Sequence, residues 1–152
     1  MTIDVETIEP GLRIPLWSRE GTFYHWNRFH AVNADFAGHH MDDEVGRHEG
    51  FASAFISAPF AHAYLHAMLR EWLSDQGRIV SVDMRLKNPL LRGRTLEAGG
   101  EVTTVRADDG EVMVDLEIWQ VDDEGTQLGV GTATVAFPAP GADPGSRAPE
   151  DG

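Results

Sequence analysis

The stretch that decides the fold runs from Asp35 to Trp72: DFAGHHMDDEVGRHEGFASAFISAPFAHAYLHAMLREW. Its first half is polar and rich in histidine, whereas its second half, from Pro59 to Leu73, is apolar on nearly every side of a helix. A helix that is apolar all round must be covered by other elements. Ser57 suits the N-cap of this helix, and Pro59 suits its first turn. The pattern therefore predicts a polar loop that leads into a central helix.

Length and composition limit the class of protein. A chain of 152 residues is long enough for one domain with its own core, and its size favours an oligomer, because a concave active site can require a second subunit. The formal net charge of −13 argues against nucleic acid and anionic membrane surfaces as partners, since both require clustered positive charge. The absence of cysteine excludes disulfides, a thiolate nucleophile and zinc–thiolate sites.

The N-terminal residues and the hydropathy of the chain predict a cytoplasmic location. The start, MTIDVETIEPGLRIPLW, has acidic residues where a signal peptide needs a basic end. No segment approaches the roughly 20 apolar residues of a membrane span. We therefore expect neither a secreted nor a membrane-spanning protein.

Four segments after the core helix have the pattern of half-buried strands. Asp109 and Gly110, between the second and third of them, predict a type I′ hairpin, because both turn positions need a positive φ. Gly129 and Gly131 in the last segment indicate a bulge or the close approach of another backbone. The predicted strands are residues 79–86, 101–107, 111–121 and 127–138.

The N-terminal part contributes smaller elements. Residues 1–21 are a lead-in with one short strand. Residues 22–33, TFYHWNRFHAVN, carry aromatic side chains at helical spacing and predict a short helix, although they also alternate nearly as well as a strand. We expect a single domain over residues 1–138 and a disordered, acidic, Pro/Gly-rich tail over residues 139–152.

A long apolar helix followed by four strands in hairpin order requires a sheet that covers the helix. An antiparallel sheet curled around a central helix satisfies both elements at once. We therefore expect an α+β protein with the hot-dog fold, in which the antiparallel sheet wraps around the long central helix.

An ordered series of short motifs also carries a family resemblance. Residues 35–42 read DFAGHHMD, which is similar to the motif Asp-Phe-Asn-Pro-(Leu/Ile)-His-x-Asp of the MaoC-like, or (R)-specific enoyl-CoA hydratase, family. The spacing of five from Asp35 to His40 is the same. The chain differs where Ala37-Gly38 replaces Asn-Pro and where Ala63 replaces the glycine of the family's His-Gly helix opening. The other similar segments are residues 50–51, 61–63, 85–103 and 129–138.

The resemblance implies a hydratase or dehydratase, which adds water to a 2-enoyl thioester of coenzyme A or a carrier protein, or removes it from the 3-hydroxyacyl thioester. This chemistry needs groups that move protons and donors for the enolate oxygen. Asp35 and His40 would hold the water as the catalytic pair. The backbone N–H of Ala63, near the positive end of the helix, would polarise the thioester carbonyl. His62 would contact the substrate, and no cofactor is implied.

Two other groups of residues have alternative interpretations. His62 and His66 would share one helix face and could ligate a metal, but without an HExxH motif or a cysteine we predict no metal site. Arg85 and Lys87 belong to a positively charged segment that suits coenzyme A phosphates or an acidic carrier protein, and we expect both to bind substrate. Charge that keeps a strand edge soluble has the same appearance.

Two alternative functions remain open at this stage. An acyl-CoA thioesterase with this fold usually places a carboxylate on the core helix, where this chain has only Glu71, late in the helix. A heteromeric hydratase can also contain a hot-dog subunit that shapes the acyl tunnel without catalysing the reaction. We expect a homodimer, with a heteromer containing a second hot-dog chain as the alternative.

Overall fold

The computed structural model describes residues 3–140, so most of the predicted tail, residues 141–152, lies outside the described residues. The described part contains three α-helices, two short 3-10 helices and five strands. The helices are Phe23–Val32 (α1), Asp43–His48 (α2) and Ala58–Leu73 (α3), with 3-10 turns at Val5–Thr7 and Gly38–His40. The strands are Trp17–Glu20 (β1), Arg78–Leu86 (β2), Thr95–Asp108 (β3), Glu111–Asp122 (β4) and Gln127–Pro138 (β5).

The five strands form one antiparallel sheet in the order β1-β3-β4-β5-β2. The hairpin between β3 and β4 turns at Asp109 and Gly110, whose φ angles of 41° and 80° are both positive. The predicted type I′ turn is therefore confirmed. Strand β1 and helix α1 confirm the short strand and the short helix predicted for the N-terminal part.

Helix α3 packs against the sheet, and its buried side chains form the centre of the core. Gln120 of β4 is fully buried and donates its Nε2–H to the carbonyl oxygen of Ala61 at 2.8 Å, which fixes the start of α3 to the sheet. The α+β hot-dog architecture is thus confirmed. The buried residues of α3 are Phe60, Ala61, Tyr64, Leu65, Met68, Leu69, Trp72 and Leu73.

One side of α3 is less buried than its apolar sequence predicts. His62, Ala63, His66 and Ala67 are only half-buried, and Arg70 is exposed. These positions recur every three to four residues, so they lie along one face of the helix. Within residues 3–140, the sheet and helix α1 therefore leave this face of α3 partly uncovered.

Two elements differ from the sequence prediction. The segment predicted as a polar loop contains α2, which begins at Asp43 after the side chain of Asp42 accepts the N–H of Glu44 at 2.7 Å. This helix has only six residues and no apolar periodicity, so the sequence pattern misses it. Strand β3 begins at Thr95, where it pairs with β1 and β4, whereas the sequence predicts a start at residue 101, because Gly99 and Gly100 interrupt the strand pattern.

The glycines of β5 mark a close approach of the neighbouring strand, as the sequence indicates. A Cβ atom on Gly131 would lie against the backbone carbonyl of Asp83 in β2, and one on Gly129 would lie 3.0 Å from the sulfur of Met84. Strand β2 therefore packs on β5 with no room for a side chain at Gly131. Among residues 3–140, no helix combines the length and the apolar character needed to cross a membrane.

Replacing Gly131 should loosen the edge of the sheet. Gly131→Ala places a methyl group against the Asp83 backbone, and overpacking of this kind costs about 1–3 kcal/mol. The free energy of unfolding, from urea titration, should fall by that amount. Thr132→Ala, at the exposed neighbouring position, should change it by less than about 0.5 kcal/mol. Equal losses in the two variants would contradict the close approach.

Candidate active site

Asp35 follows the end of α1, and the turn between them directs it back towards that helix. Asn33 closes α1, and Ala34 adopts a left-handed conformation with a φ of 53°. The backbone N–H of Asp35 then donates to the carbonyl oxygen of His30 at 2.9 Å. As a result, the Asp35 carboxylate lies beside the last turn of α1 and is about one-third exposed.

His40 ends the 3-10 turn Gly38–His40, and its imidazole is held by the backbone of Phe55. His40 Nδ1 lies 2.7 Å from the carbonyl oxygen of Phe55. Because a carbonyl oxygen only accepts, Nδ1 must carry the hydrogen, and a neutral imidazole then presents Nε2 as an acceptor. The N–H of Phe55 donates in turn to the carbonyl oxygen of His39 at 3.1 Å. The turn and Phe55 therefore fix both the position and the tautomer of His40.

The structure brings Asp35 and His40 together. His40 Nε2 lies 3.8 Å from Asp35 Oδ2, which is too far for a direct hydrogen bond. A water molecule that makes two hydrogen bonds of about 2.8 Å can span this gap. The two predicted residues therefore have the separation needed to hold one water molecule between a carboxylate oxygen and an imidazole nitrogen.

Burial affects the charge of His40. The side chain is 6% exposed. Desolvation lowers the pKa of His40 below the ordinary value of 6.5, and the nearby His39 and His30 lower it further, whereas the hydrogen bond to Phe55 and the charge of Asp35 raise it. The net shift is downward, so His40 is neutral at pH 7 and its Nε2 is available to accept a proton.

His30 is a third member of the site that sequence analysis missed. Its ring is fully buried, its Nδ1 lies 3.2 Å from Asp35 Oδ2, and it stacks on the His40 ring with centroids 4.5 Å apart and planes 5° from parallel. The only sequence signal was a histidine on the apolar face of an aromatic helix. That signal does not distinguish a site residue from a core residue, because the turn after α1 decides whether the His30 side chain contacts Asp35.

The three residues resemble a metal site in composition but not in geometry. Ligand atoms of His30, Asp35 and His40 lie within 4.8 Å of one another, and two histidines with one carboxylate can bind iron. A metal ion must lie close to the plane of each imidazole that binds it, along the nitrogen lone pair. Two stacked and nearly parallel rings have no such point in common. The observed arrangement therefore does not fit one shared ion.

A cavity of about 260 Å³ extends from Phe55, whose carbonyl oxygen binds His40, to the start of α3. Ser57, the N-cap of α3, is 5% exposed, and its Oγ has no hydrogen-bond partner within residues 3–140. The backbone N–H of Ala58, the first residue of α3, likewise has no acceptor within residues 3–140. The cavity is lined by Phe51, Phe55, Ile56, Ser57, Ala58, Ala61, Leu86, Lys87, Asn88 and Pro89.

The structure places the other predicted site residues in different surroundings. Ala63 is the sixth residue of α3, so its N–H points along the helix axis towards the carbonyl of Pro59 rather than outward. His62 is half-buried, with Nε2 3.4 Å from the carbonyl oxygen of Val82. Neither residue lies in the group formed by Asp35 and His40.

The two predicted positive residues lie at the end of β2. Lys87 lines the cavity and is exposed, and Arg85 is exposed on the strand before it. Within residues 3–140 neither forms an ion pair, in contrast to Arg78, Arg92 and Arg94 of the same segment, which pair with carboxylates. Of the positively charged segment, Lys87 is thus the residue that the structure brings to the cavity.

Asp43 of α2 anchors the backbone that carries Phe55. Its Oδ1 accepts the N–H of Ala54 at 3.0 Å and the Nε–H of Arg92 at 2.7 Å, and its Oδ2 contacts the same guanidinium. The Arg92 hydrogen bond is the largest of the causes that lower the pKa of Asp43 from 3.8 to about 2. Because Ala54 precedes Phe55, this ion pair supports the carbonyl that holds His40.

Solved structures with the same architecture include several hydratases and dehydratases. The (R)-hydratase from A. caviae involved in PHA biosynthesis has a TM-score of 0.79 and 20% identity, over 88% of this chain and 100% of that chain. The ChsH1-ChsH2 complex from Mycobacterium tuberculosis has a TM-score of 0.74 and 19% identity, over 86% and 98%. The MaoC-like dehydratase from Rhodospirillum rubrum has a TM-score of 0.74 and 16% identity, over 93% and 100%.

The chain has a MaoC-like hot-dog fold. No protein-family model matches the sequence, and no curated protein matches it significantly. At identities of 16% to 20%, these likenesses concern the fold. The roles of residues in this MaoC-like fold therefore depend on the chemistry and geometry of this chain's own side chains.

The pKa of His40 should be measurable directly. In ¹H–¹⁵N spectra of the imidazole nitrogens, assigned with a His40→Gln variant, His40 should titrate below pH 6.5 because its burial disfavours the charged form. Asp35→Asn should lower the midpoint further, because it removes the negative charge that favours imidazolium. A midpoint at or above 6.5 in the native chain would contradict the buried environment.

The ion pair of Asp43 should contribute to stability only where the carboxylate is ionised. A pKa lowered from 3.8 to about 2 stabilises the folded state above pH 4, and this contribution is lost as the pH falls from about 4 to about 2. Asp43→Asn should lower the melting temperature at pH 7 and flatten its decline across that acidic window. An unchanged melting temperature at pH 7 would show that the pair does not support the fold.

Proposed function

We propose that this chain is a hydratase or dehydratase that interconverts a 2-enoyl thioester and a 3-hydroxyacyl thioester. The observation that carries the proposal is the 3.8 Å separation of Asp35 Oδ2 and His40 Nε2, with His40 held as an acceptor by the Phe55 carbonyl. The fold shared with the (R)-hydratase and the MaoC-like dehydratase supports the same reaction class.

In the proposed hydration, one water molecule lies between Asp35 and His40. The Asp35 carboxylate accepts one O–H of the water and orients it, while Nε2 of neutral His40 accepts the proton of the other O–H. The water oxygen forms a bond to C3 as the C2–C3 π electrons shift towards the thioester carbonyl. His40 then returns the proton to C2, so that the elements of one water molecule are added. Dehydration follows the same steps in reverse.

The enolate oxygen that forms during the reaction needs donors. In the proposal, the open start of α3 supplies them from Ala58 N–H and the buried, unpartnered Ser57 hydroxyl, because both residues line the cavity beside Phe55. The positive end of the helix dipole favours the same oxygen. The donor proposed from sequence, Ala63 N–H, belongs to the second turn of the helix, and Ala58 takes its place in this proposal.

The proposed substrate is an acyl thioester of coenzyme A or of an acidic carrier protein. The apolar walls of the cavity suit an acyl chain, and exposed Lys87 and Arg85 suit phosphate groups on an otherwise acidic chain. We propose a cytoplasmic homodimer, with pairing to a different hot-dog chain as the alternative. Glu71, the carboxylate considered for a thioesterase, accepts the Trp17 Nε1–H at 2.8 Å and contacts Arg19, which gives that alternative no support.

Loss of the conjugated-thioester absorbance tests the reaction. The native chain should consume crotonyl-CoA or a longer trans-2-enoyl-CoA, and Asp35→Asn and His40→Ala should each lower kcat by about 10²- to 10⁴-fold, because each removes a group that binds the reacting water. Glu44→Gln, at an exposed position of α2, is the matched control and should retain the native rate. Circular dichroism should confirm that every variant is folded.

The outcomes separate the alternatives. Equal rates in the native chain and both site variants would exclude Asp35 and His40 as the catalytic pair. Release of free thiol instead of hydration would indicate a thioesterase. Activity that appears only after a second hot-dog chain is added would indicate a heteromeric enzyme.

A further inference from the structure

His30 has no part in the reaction proposed above, yet it occupies the most enclosed position of the site. The ring is fully buried, and its Nε2 has no hydrogen-bond partner within residues 3–140. A buried polar atom without a partner costs folding free energy, whereas an apolar side chain would fill the same space without this cost. The feature that a histidine offers here and an apolar residue lacks is therefore the other edge of the ring, which carries Nδ1.

That edge meets the carboxylate of Asp35. His30 Nδ1 lies 3.2 Å from Asp35 Oδ2, the same oxygen that faces His40. As a carboxylate, Asp35 only accepts, so His30 Nδ1 is the donor. The backbone N–H of Asp35 also donates to the carbonyl oxygen of His30 at 2.9 Å. Asp35 is thus bonded to His30 through both its main chain and its side chain.

The flat face of His30 meets the imidazole of His40. The rings are stacked with centroids 4.5 Å apart and planes 5° from parallel. On α3, the ring of Phe60 stands nearly perpendicular to His30 with centroids 6.1 Å apart. Phe29 stacks on Phe60 at 4.3 Å and is edge-on to His30. The His30 ring is therefore held by aromatic packing and in turn limits the orientation of the His40 ring.

We propose that His30 is a positioning residue, which holds the Asp35 carboxylate by a hydrogen bond and the His40 ring by stacking, so that their separation suits one water molecule. This inference rests on the proposed hydratase function. Asp35 is about one-third exposed and lies outside regular secondary structure, so the turn and the Phe55 carbonyl that hold His40 do not set its distance from Asp35. One buried side chain fixes both relative to α1.

The groups that face His40 determine how its titration responds to His30. They are His39 and the Phe55 ring on one side, and His30 and Asp35 on the other. His30 lowers the pKa of His40 through the Coulombic interaction of the two stacked rings. Removing the imidazole of His30 also removes a donor from Asp35, which strengthens the attraction of the carboxylate for a charged His40. Both effects raise the pKa of His40.

Two substitutions separate the hydrogen bond from packing. His30→Leu keeps an apolar volume and removes the donor. His30→Asn places its Nδ2–H where the Nδ1–H of histidine lies and so keeps a donor for Asp35. His48→Asn, at the exposed end of α2, is the matched control for the loss of a histidine. Steady-state kinetics with a 2-enoyl-CoA and the NMR titration of His40 should be measured for all three full-length variants and the native chain.

His30→Leu should lower kcat by about 10- to 100-fold, the effect of one hydrogen bond to a charged group, with KM changed by less than about threefold. It should also move the His40 titration to higher pH. His30→Asn should recover kcat to within about threefold of the native value. The control should match the native chain in both measurements.

Other results would overturn the positioning role. Native kcat and an unmoved His40 titration in His30→Leu would show that His30 only fills space. Equal losses of kcat in the Leu and Asn variants would assign the effect to packing rather than to the hydrogen bond. If the native chain does not hydrate the probes, the proposed function fails by itself. The His40 titration of the Leu variant then still decides whether His30 acts on the pair: an upward shift supports this, and no shift refutes it.

Discussion

Helix α3 has eight buried side chains, which leave water because the five-stranded sheet and helix α1 lie against them. Full burial of a large apolar side chain contributes about 1.5–3 kcal/mol, whereas a short isolated helix or hairpin is only marginally stable in water. The sheet and the helix therefore form together. Gln120, which binds the Ala61 carbonyl from inside the sheet, adds a polar constraint that fixes where the helix starts.

The position of the start of α3 determines the site. The backbone just before the helix passes through Ala54 and Phe55, where Asp43, Arg92 and His39 bind it. The Phe55 carbonyl selects the tautomer of His40. A side chain in a short turn thus acquires a fixed geometry from the segment that leads into the core helix, through one backbone hydrogen bond. This connection explains why a catalytic group can lie in a turn and still be ordered.

The site also departs from what stability alone would favour. Two imidazoles are buried next to a carboxylate, and one of them has a nitrogen without a partner among residues 3–140, in a strongly acidic chain. Burial keeps His40 neutral and able to accept a proton at pH 7. Such departures from local optimality are typical of functional sites. The half-buried face of α3 is a second departure, since the apolar residues Ala63 and Ala67 stay partly exposed on it.

The sequence by itself determined the elements with long or regular patterns. Apolar periodicity identifies α3, alternation identifies β2, β4 and β5, and positive-φ residues identify the turn at Asp109 and Gly110. These features depend on neighbours within a few residues, so local chemistry is sufficient. Asp35 and His40, in contrast, were singled out by the resemblance of residues 35–42 to the MaoC-like motif. The short helix α2 and the early start of β3 were missed, because packing rather than pattern stabilises them.

Only the tertiary structure decided which groups meet. The contact of His30 with Asp35 depends on the left-handed turn at Ala34, and the tautomer of His40 depends on a carbonyl 15 residues away. The sequence placed the N-cap of α3 at Ser57, as in the structure, but only the fold brings the open start of the helix at Ala58 to a cavity shared with Lys87. Hydrogen bonds act over about 3 Å, and a sequence does not specify distances on that scale between segments that the fold brings together.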